Sequence, residues 1–406
     1  RISAANLNTG NVAVIDGNRH TVITMIPVGV FPRGVGVNPT TNRIYVANSE
    51  SDTVSVIDGA NSTVIDTIPV GQHPADQVGI NRVTNRIYTP NFDDNTVSVI
   101  DGLSNAVVAI IPVGSRPRGI AVDPLTNRIY VSNGFDNTLS VIDGNTNLIL
   151  AAVPVGFFPA WVAVNPDTHQ VYVANAFDDT VTVIDTTTNA VIATPSVGDV
   201  PTGVTIDPTT NLVYVTNAAH GATNGSVSVI DGTTHAVLKT FPVGKEPSGV
   251  ALNPVTKQLY VANGADDTVT VYAPIINNRV TLNNLEKDFD PSKNVPLPSG
   301  GATVGVFTIT ATFTNVSATP ISRPFFSVTE LTTAENVLLN ADRLLPGGVG
   351  AMLTANVRAD GVLSPGESFT TDFVIGLQSL EPFRFFVNLL EGSGNSFPLC
   401  GSGTNG

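Results

Sequence analysis

The sequence predicts an all-β chain: a seven-bladed β-propeller over residues 1–284, a linker at 285–302, and an immunoglobulin-like β-sandwich over 303–406. Three observations carry this. A six-residue segment typified by Val54-Ser-Val-Ile-Asp58-Gly59 recurs, and its aspartates Asp16, Asp58, Asp101, Asp143, Asp185 and Asp231 are spaced 42, 43, 42, 42 and 46 residues apart. Each repeat reads as four short strands with alternating β-branched residues, which suits a pleated sheet covered on both faces. Beyond Val271 the repeat stops, and alternating stretches separated by Pro346-Gly-Gly348 and Ser364-Pro-Gly366 follow.

Within a repeat, the first strand is Gly34–Pro39, the second Arg43–Asn48, the third Val54–Asp58 and the fourth Val64–Gly71. Turn chemistry punctuates them at fixed places: Asn-Pro-x-Thr-Asn, an Asp/Asn-rich loop, Asp-Gly, and Gly-x-x-Pro. Four strands in about 42 residues form a sheet that buries its faces only by stacking on others around an axis. The second and third strands occur seven times, but the first occurs six times, so blade one is expected to lack its inner strand. Three origins stay open: a three-stranded blade, a segment upstream of Arg1, or a strand from elsewhere in the chain or a neighbouring subunit. Asn278–Asn283 is expected to supply the fourth strand of blade seven. The chain starts at Arg1 inside a repeat, as a processed or trimmed chain would.

The segments Ile44-Tyr-Val-Ala-Asn48, Ile129-Tyr-Val-Ser-Asn133 and Val213-Tyr-Val-Thr-Asn217, each followed by a V/L-S-V-I-D stretch, resemble the YVTN-type propeller repeats of archaeal and bacterial surface-layer proteins. The resemblance covers roughly residues 1–273 and implies an extracellular or cell-surface setting. It transfers no catalytic residue. The stretch Leu363–Phe369 resembles accessory sandwich modules of bacterial extracellular proteins.

Composition limits the partners. The formal charge is -14 with no Lys/Arg cluster, which excludes a nucleic-acid binder that must displace counterions. No apolar run reaches the roughly 20 residues needed to span a bilayer. The single cysteine, Cys400, lies in a Gly/Ser-rich tail, so no disulfide framework or C-x-x-C motif exists.

Candidate sites are few. No catalytic residue and no cofactor is predicted: His20, His73, His169, His220 and His235 occupy different loop types, and no nucleophile elbow or phosphate loop occurs. The second-to-third-strand loops carry Asp93, Asp94, Asp178, Asp179, Asp266 and Asp267, which are calcium candidates by their carboxylates and hairpin residues by their turn propensity. Phe31, Phe157, Phe158 and Trp161 stand out among the Gly-x-x-Pro loops as interface candidates. In the second domain, Phe325, Phe326, Phe385 and Phe386 place rings on both faces of their strands. Asn61, Asn224 and Asn315 match the glycosylation acceptor pattern. The expectation is a non-enzymatic subunit of a surface layer or filament, self-associating into a homopolymer or lattice, with the propeller as rigid block and the sandwich as connector. The alternatives are an extracellular binding or adhesion module using one disc face, and a propeller lyase or oxidoreductase.

Overall fold

The computed structural model describes residues 1–17, 21–219, 223–254, 257–272, 280–290, 305–315, 321–322, 324–331, 337–338, 352–354, 362–365, 367–377 and 385–391. The chain divides into two compact units, one of Arg1–Leu252 with Tyr260–Val271 and one of Asn253–Leu259 with Tyr272–Gly406. His20, His220 and Cys400 lie outside the described residues.

Seven antiparallel sheets make the propeller. In blade four, Pro117–Asp123, Arg128–Asn133, Thr138–Asp143 and Leu148–Pro154 pair in that order from inner to outer edge. Blades two, three, five and six repeat it, beginning at Pro32–Asn38, Gly79–Asn81, Pro159–Asn165 and Pro201–Asp207. Among the described residues, blade one has the strands Ile2–Asn6, Asn11–Asp16 and Thr21–Pro27. The described strands of blade seven are Pro247–Leu252, Leu259–Asn263 and Thr268–Tyr272.

The expected fourth strand of blade seven is corrected. Val280–Asp290 pairs antiparallel with Gly305–Asn315, with Val280 opposite Asn315 and Asp290 opposite Val306. It therefore runs through the boundary expected at residue 284 and into the expected linker. A register shift between Leu282 and Asn284 interrupts the two-residue alternation there, so the polar run after it reads as a connector.

The motif residues earn their recurrence by packing between and within blades. Tyr88, Val97 and Ile111 of blade three form one buried cluster with Ile120, Ile129 and Ile142 of blade four. In blades two to seven the asparagine closing the second strand is buried, and its amide ties the sheet together. Asn133 Nδ2 donates to Thr138 Oγ1 and Ser140 Oγ, both at 2.9 Å, and Asn48, Asn91 and Asn175 repeat the pattern. On the other side, Asn48 Oδ1 accepts from Gly29 N–H at 3.1 Å. Buried polar groups need such partners, and this one side chain meets that need for two strands and a loop.

Side chains from several second strands also reach the Asp-Gly turn of a neighbouring blade. Arg1 donates to the carbonyl of Gly59 at 2.8 Å and Arg43 to that of Gly102 at 2.6 Å. Tyr260 Oη donates to the carbonyl of Gly17 at 3.1 Å, so the last blade is fastened to the first and the ring closes.

In the second unit, Val280–Asp290, Gly305–Asn315, Ser368–Leu377 and Val337–Leu338 form one sheet, and Met352–Thr354, Pro324–Leu331 and Phe385–Glu391 another. Ile321–Ser322 pairs with Val362–Leu363. Phe313 and Phe369 stack with centroids 5.6 Å apart. Phe325 stands opposite Leu390, and Leu331 opposite Phe385. The side chains of Phe325, Phe326, Phe385 and Phe386 lie outside the described residues, so the two-faced aromatic expectation has no contacts to report. The acceptor reading of Asn315 is corrected: it is fully buried and its Nδ2 donates to the carbonyl of Leu363 at 2.9 Å, leaving no amide for a glycan. Asn61 and Asn224 are exposed.

Candidate functional site: an aromatic and arginine face on the propeller

Six loops joining one blade to the next open on the same face as the loops between second and third strands. In each, the residue before proline takes a left-handed backbone: Phe31, His73, Arg116, Phe158, Val200 and Glu246, with φ from 47 to 56°. Such a conformation is disfavoured for any residue with a Cβ, and the loops compensate with side-chain acceptors. His73 N–H donates to Asp52 Oδ1 at 2.8 Å, Arg116 N–H to Asn95 Oδ1 at 2.9 Å, and Val200 N–H to Asp179 Oδ1 at 2.9 Å. The preceding residue is held likewise: Gln72 N–H by Asp94 at 2.8 Å, Phe157 N–H by Asp178 at 2.6 Å, and Lys245 N–H by Asp266 at 2.7 Å.

Asp94, Asp178, Asp179 and Asp266 therefore serve as loop fasteners, one carboxylate oxygen each on a backbone N–H. Asp267 sits at a left-handed position, as Asp179 does. Asp93 differs: it forms an ion pair with Arg116, and its carboxylate also lies against the His73 ring. Among the described residues no three His, Cys, Asp or Glu side chains converge as metal ligands.

The side chains thrown outward build an aromatic arc over blades three to five. Phe92 meets Phe135 edge-on at 6.4 Å, Phe135 lies 5.9 Å from Phe158, and Phe158 stacks on Phe177 at 4.6 Å. Phe157 continues it, 5.6 Å from Phe177. Arginines lie over the rings: Arg116 at 4.8 Å from Phe92, Arg118 at 5.0 Å from Phe158, and Arg33 at 5.1 Å from Phe31. Phe135, Phe157 and Phe177 remain 51 to 60% exposed. Sequence reasoning found Phe31, Phe157 and Phe158 but missed Phe92, Phe135 and Phe177. Their signal was present: blades three to five each place a phenylalanine within two residues after the buried Asn91, Asn133 or Asn175.

Beside the arc, blade three carries one residue more than its neighbours between Pro74 and Asn81. Pro74 bridges Asn91 and Gly79 pairs with Tyr88, so four residues, Ala75–Val78, face only Thr89 and Pro90. The strand bulges, and Asp76 and Gln77 are pushed towards other blades. Asp76 Oδ1 accepts from Arg33 at 2.8 Å, and its Oδ2 accepts from Arg118 Nη2 at 2.7 Å and Nε at 3.0 Å. Burial pushes the Asp76 carboxyl up, but Arg118 and then Arg33 outweigh it and hold it below the usual carboxylate value. This triad, with Phe92, Phe158 and the Glu50–His73 pair (3.4 Å), lines a cavity of about 380 Å³.

Trp161, readable from the sequence as a contact residue or as packed locally at the start of an inner strand, is half-buried and faces inward. A Cβ on Gly249 of blade seven would stand 3.6 Å from Trp161 Cη2, so the ring lies against the inner strand Pro247–Leu252 two blades away. Inner-strand side chains point alternately to the axis and to the sheet, which explains why a loop-adjacent tryptophan ends within the ring.

The fold and this face define a seven-bladed β-propeller protein with an aromatic–arginine surface at one side of the disc. No family model and no curated protein matches the sequence. Among solved structures, the chain is similar to one titled Kuenenia stuttgartiensis Hydrazine Synthase, with 21% identity and a TM-score of 0.60 over 66% of this chain and 91% of that one. At that identity the likeness bears on the fold alone.

Proposed function

We propose that this chain is a non-enzymatic extracellular structural protein, a subunit of a surface layer or filament, in which the propeller is a rigid block of YVTN-type repeats that docks neighbouring protein through its aromatic–arginine face. The observation that carries the reading is the arc Phe92–Phe135–Phe158–Phe177–Phe157 with Arg116 and Arg118 over it. Contiguous exposed rings rimmed by charge mark contact surfaces, and phenylalanine and arginine are enriched there. The surface-layer resemblance of the repeats supports the extracellular setting, and the immunoglobulin-like reading of the second unit supports its role as connector.

Electron microscopy and sedimentation of the full chain test this. Ordered polymers that grow with concentration are expected, and a Phe135→Ser, Phe157→Ser, Phe177→Ser variant should weaken them while retaining its melting temperature. A chain that stays monomeric at every concentration would overturn the reading. A second reading, a ligand-binding module, is favoured by the walled cavity around Arg33, Asp76 and Arg118. It predicts a monomer whose melting temperature rises with a small polar ligand and no longer does so in Arg118→Ala.

A further inference from the structure

The outer strands carry a second repeating feature, on the circumference. In blades one to six the pairing of third and fourth strands slips at one equivalent place, between Val14 and Ile15, Val56 and Ile57, Val99 and Ile100, Val141 and Ile142, Val183 and Ile184, and Val229 and Ile230. The outer-strand residue skipped by each slip is Ile23, Ile65, Val108, Leu150, Ile192 or Leu238, and these stand 45 to 55% exposed. A bulged residue on an outer edge has no packing demand from its own sheet. The residue after it runs through Thr24, Asp66, Ala109, Ala151, Ala193 and Lys239 in the same repeats, yet the bulged position holds only Ile, Val or Leu.

Blades three and four go further in exposure. Their outer strands, Ala106–Pro112 and Leu148–Pro154, contain no ionisable side chain, as is also true of Thr21–Pro27 in blade one and Ala190–Ala193 in blade five. Those of blades three and four expose Val108, Ile110, Leu148, Ile149 and Leu150, with Ile110 at 63% and Leu148 at 64%. Exposed sheet edges are ordinarily guarded by charge or by bulges. Here the charge is missing and the bulge is kept, so strand addition is hindered while an apolar surface stays open to side-chain packing.

We propose that the rim of blades three and four is a lateral contact between copies of this chain, aliphatic side chains of one disc packing on those of a second. The occupant is a second copy because of charge. The chain carries a formal charge of -14, so two copies approaching through their acidic loops repel. The uncharged rim lets like meet like without that penalty, and a two-fold contact makes one patch complementary to itself. This inference rests on the assembly reading above and adds the lateral contact that a layer requires beyond docking at the face.

The test compares the full chain with Val108→Lys/Leu150→Lys and with Phe157→Ser/Phe177→Ser, by sedimentation velocity and negative-stain microscopy. The lysine pair should raise the concentration needed for lateral association by ~10-fold or more, as charging an apolar contact centre does, and the serine pair should leave the lateral contact intact. Should the lysine pair misfold, Val108→Thr/Leu150→Thr carries the same comparison with a smaller shift. Lysine or threonine variants that associate laterally at the parent's concentration would overturn the inference alone. A parent that remains monomeric would overturn the assembly reading, and this inference with it. Lateral binding to a different protein, with no self-association, would also overturn it.

Discussion

Gln77 in blade three is joined to Val162 in blade five by two hydrogen bonds across the ring. Its Nε2 donates to the Val162 carbonyl at 3.2 Å, and its Oε1 accepts from Val162 N–H at 3.0 Å. The same oxygen accepts from Ile120 N–H of blade four at 2.9 Å. One side chain thus satisfies three backbone groups on two other blades. It can do so only because the extra residue before Asn81 bulges its strand inward. Gln77→Leu keeps the volume but leaves these part-buried groups without their amide partner, each worth about 1–3 kcal/mol when left unsatisfied. Partial relaxation should bring the loss to about 2–4 kcal/mol, read as a lower denaturant midpoint with an unchanged slope. An unchanged midpoint would mean that water replaces the amide.

Asp76 makes a separable prediction. Its carboxyl is held below the ordinary value by Arg118 and Arg33 against the opposing effect of burial. A depressed carboxyl contributes stability above its unfolded value, near 4, and loses it as pH falls through the folded value. Asp76→Asn removes that contribution and leaves two guanidiniums facing each other, with side chains 37 and 23% exposed. Because both reach solvent, the expected cost at neutral pH is about 1–3 kcal/mol, below that of a fully buried pair. Melting temperature against pH should be flatter for the variant below pH ~4 than for the parent.

The turns after the third strands give an acid-side test without mutation of the site. Asp185 accepts from the Thr187 hydroxyl at 2.5 Å and the Thr188 N–H at 2.9 Å, and these bonds lower its carboxyl to about 2. Asp101, Asp143 and Asp231 are lowered too, by backbone N–H groups of their own turns. Stability from these turns is present above their unfolded values and disappears as pH falls towards 2. Carboxyl NMR titration should find Asp185 ionising near 2, and Thr187→Val should move it upward. Asp185→Asn, which still accepts the turn bonds, should be milder than Asp185→Ala.

How much of this was legible follows from which residues obey the repeat. The seven copies of the second strand, the Asp-Gly turns and the Gly-x-x-Pro loops each encode local geometry, so the all-β class and the seven blades could be read directly. The spacing of 43 between Asp58 and Asp101 also recorded the extra residue of blade three. Its consequence could not be read, because Gln77 finds partners 43 and 85 residues away, set by ring closure. The gathering of His73, Asp93 and Arg116 was hidden for the same reason: they belong to different loops, and only neighbouring blades bring them together. Rim residues such as Leu150 looked like ordinary strand hydrophobics, since a bulge in pairing leaves no mark on composition.

Alkaline pH should open the ring in a way that acid does not. Burial raises the phenols of Tyr45, Tyr88, Tyr130 and Tyr260 above their ordinary value and pushes Tyr172 to about 12. A raised phenol contributes stability that is complete below the unfolded value, about 10, and is lost as pH climbs through the folded one. These five sit at one repeat position in different blades, so their ionisation adds up over the ring. Tyrosinate absorbance should therefore rise cooperatively, together with loss of β circular dichroism. Tyr260→Phe separates the ring-closing bond from this sum. It removes the hydrogen bond to Gly17, a neutral bond worth about 1 kcal/mol, together with one titrating group. The variant should be less stable at neutral pH, and its alkaline limb should be shallower than the parent's. Independent ionisation of the phenols well below the unfolding pH would contradict their burial in the blades.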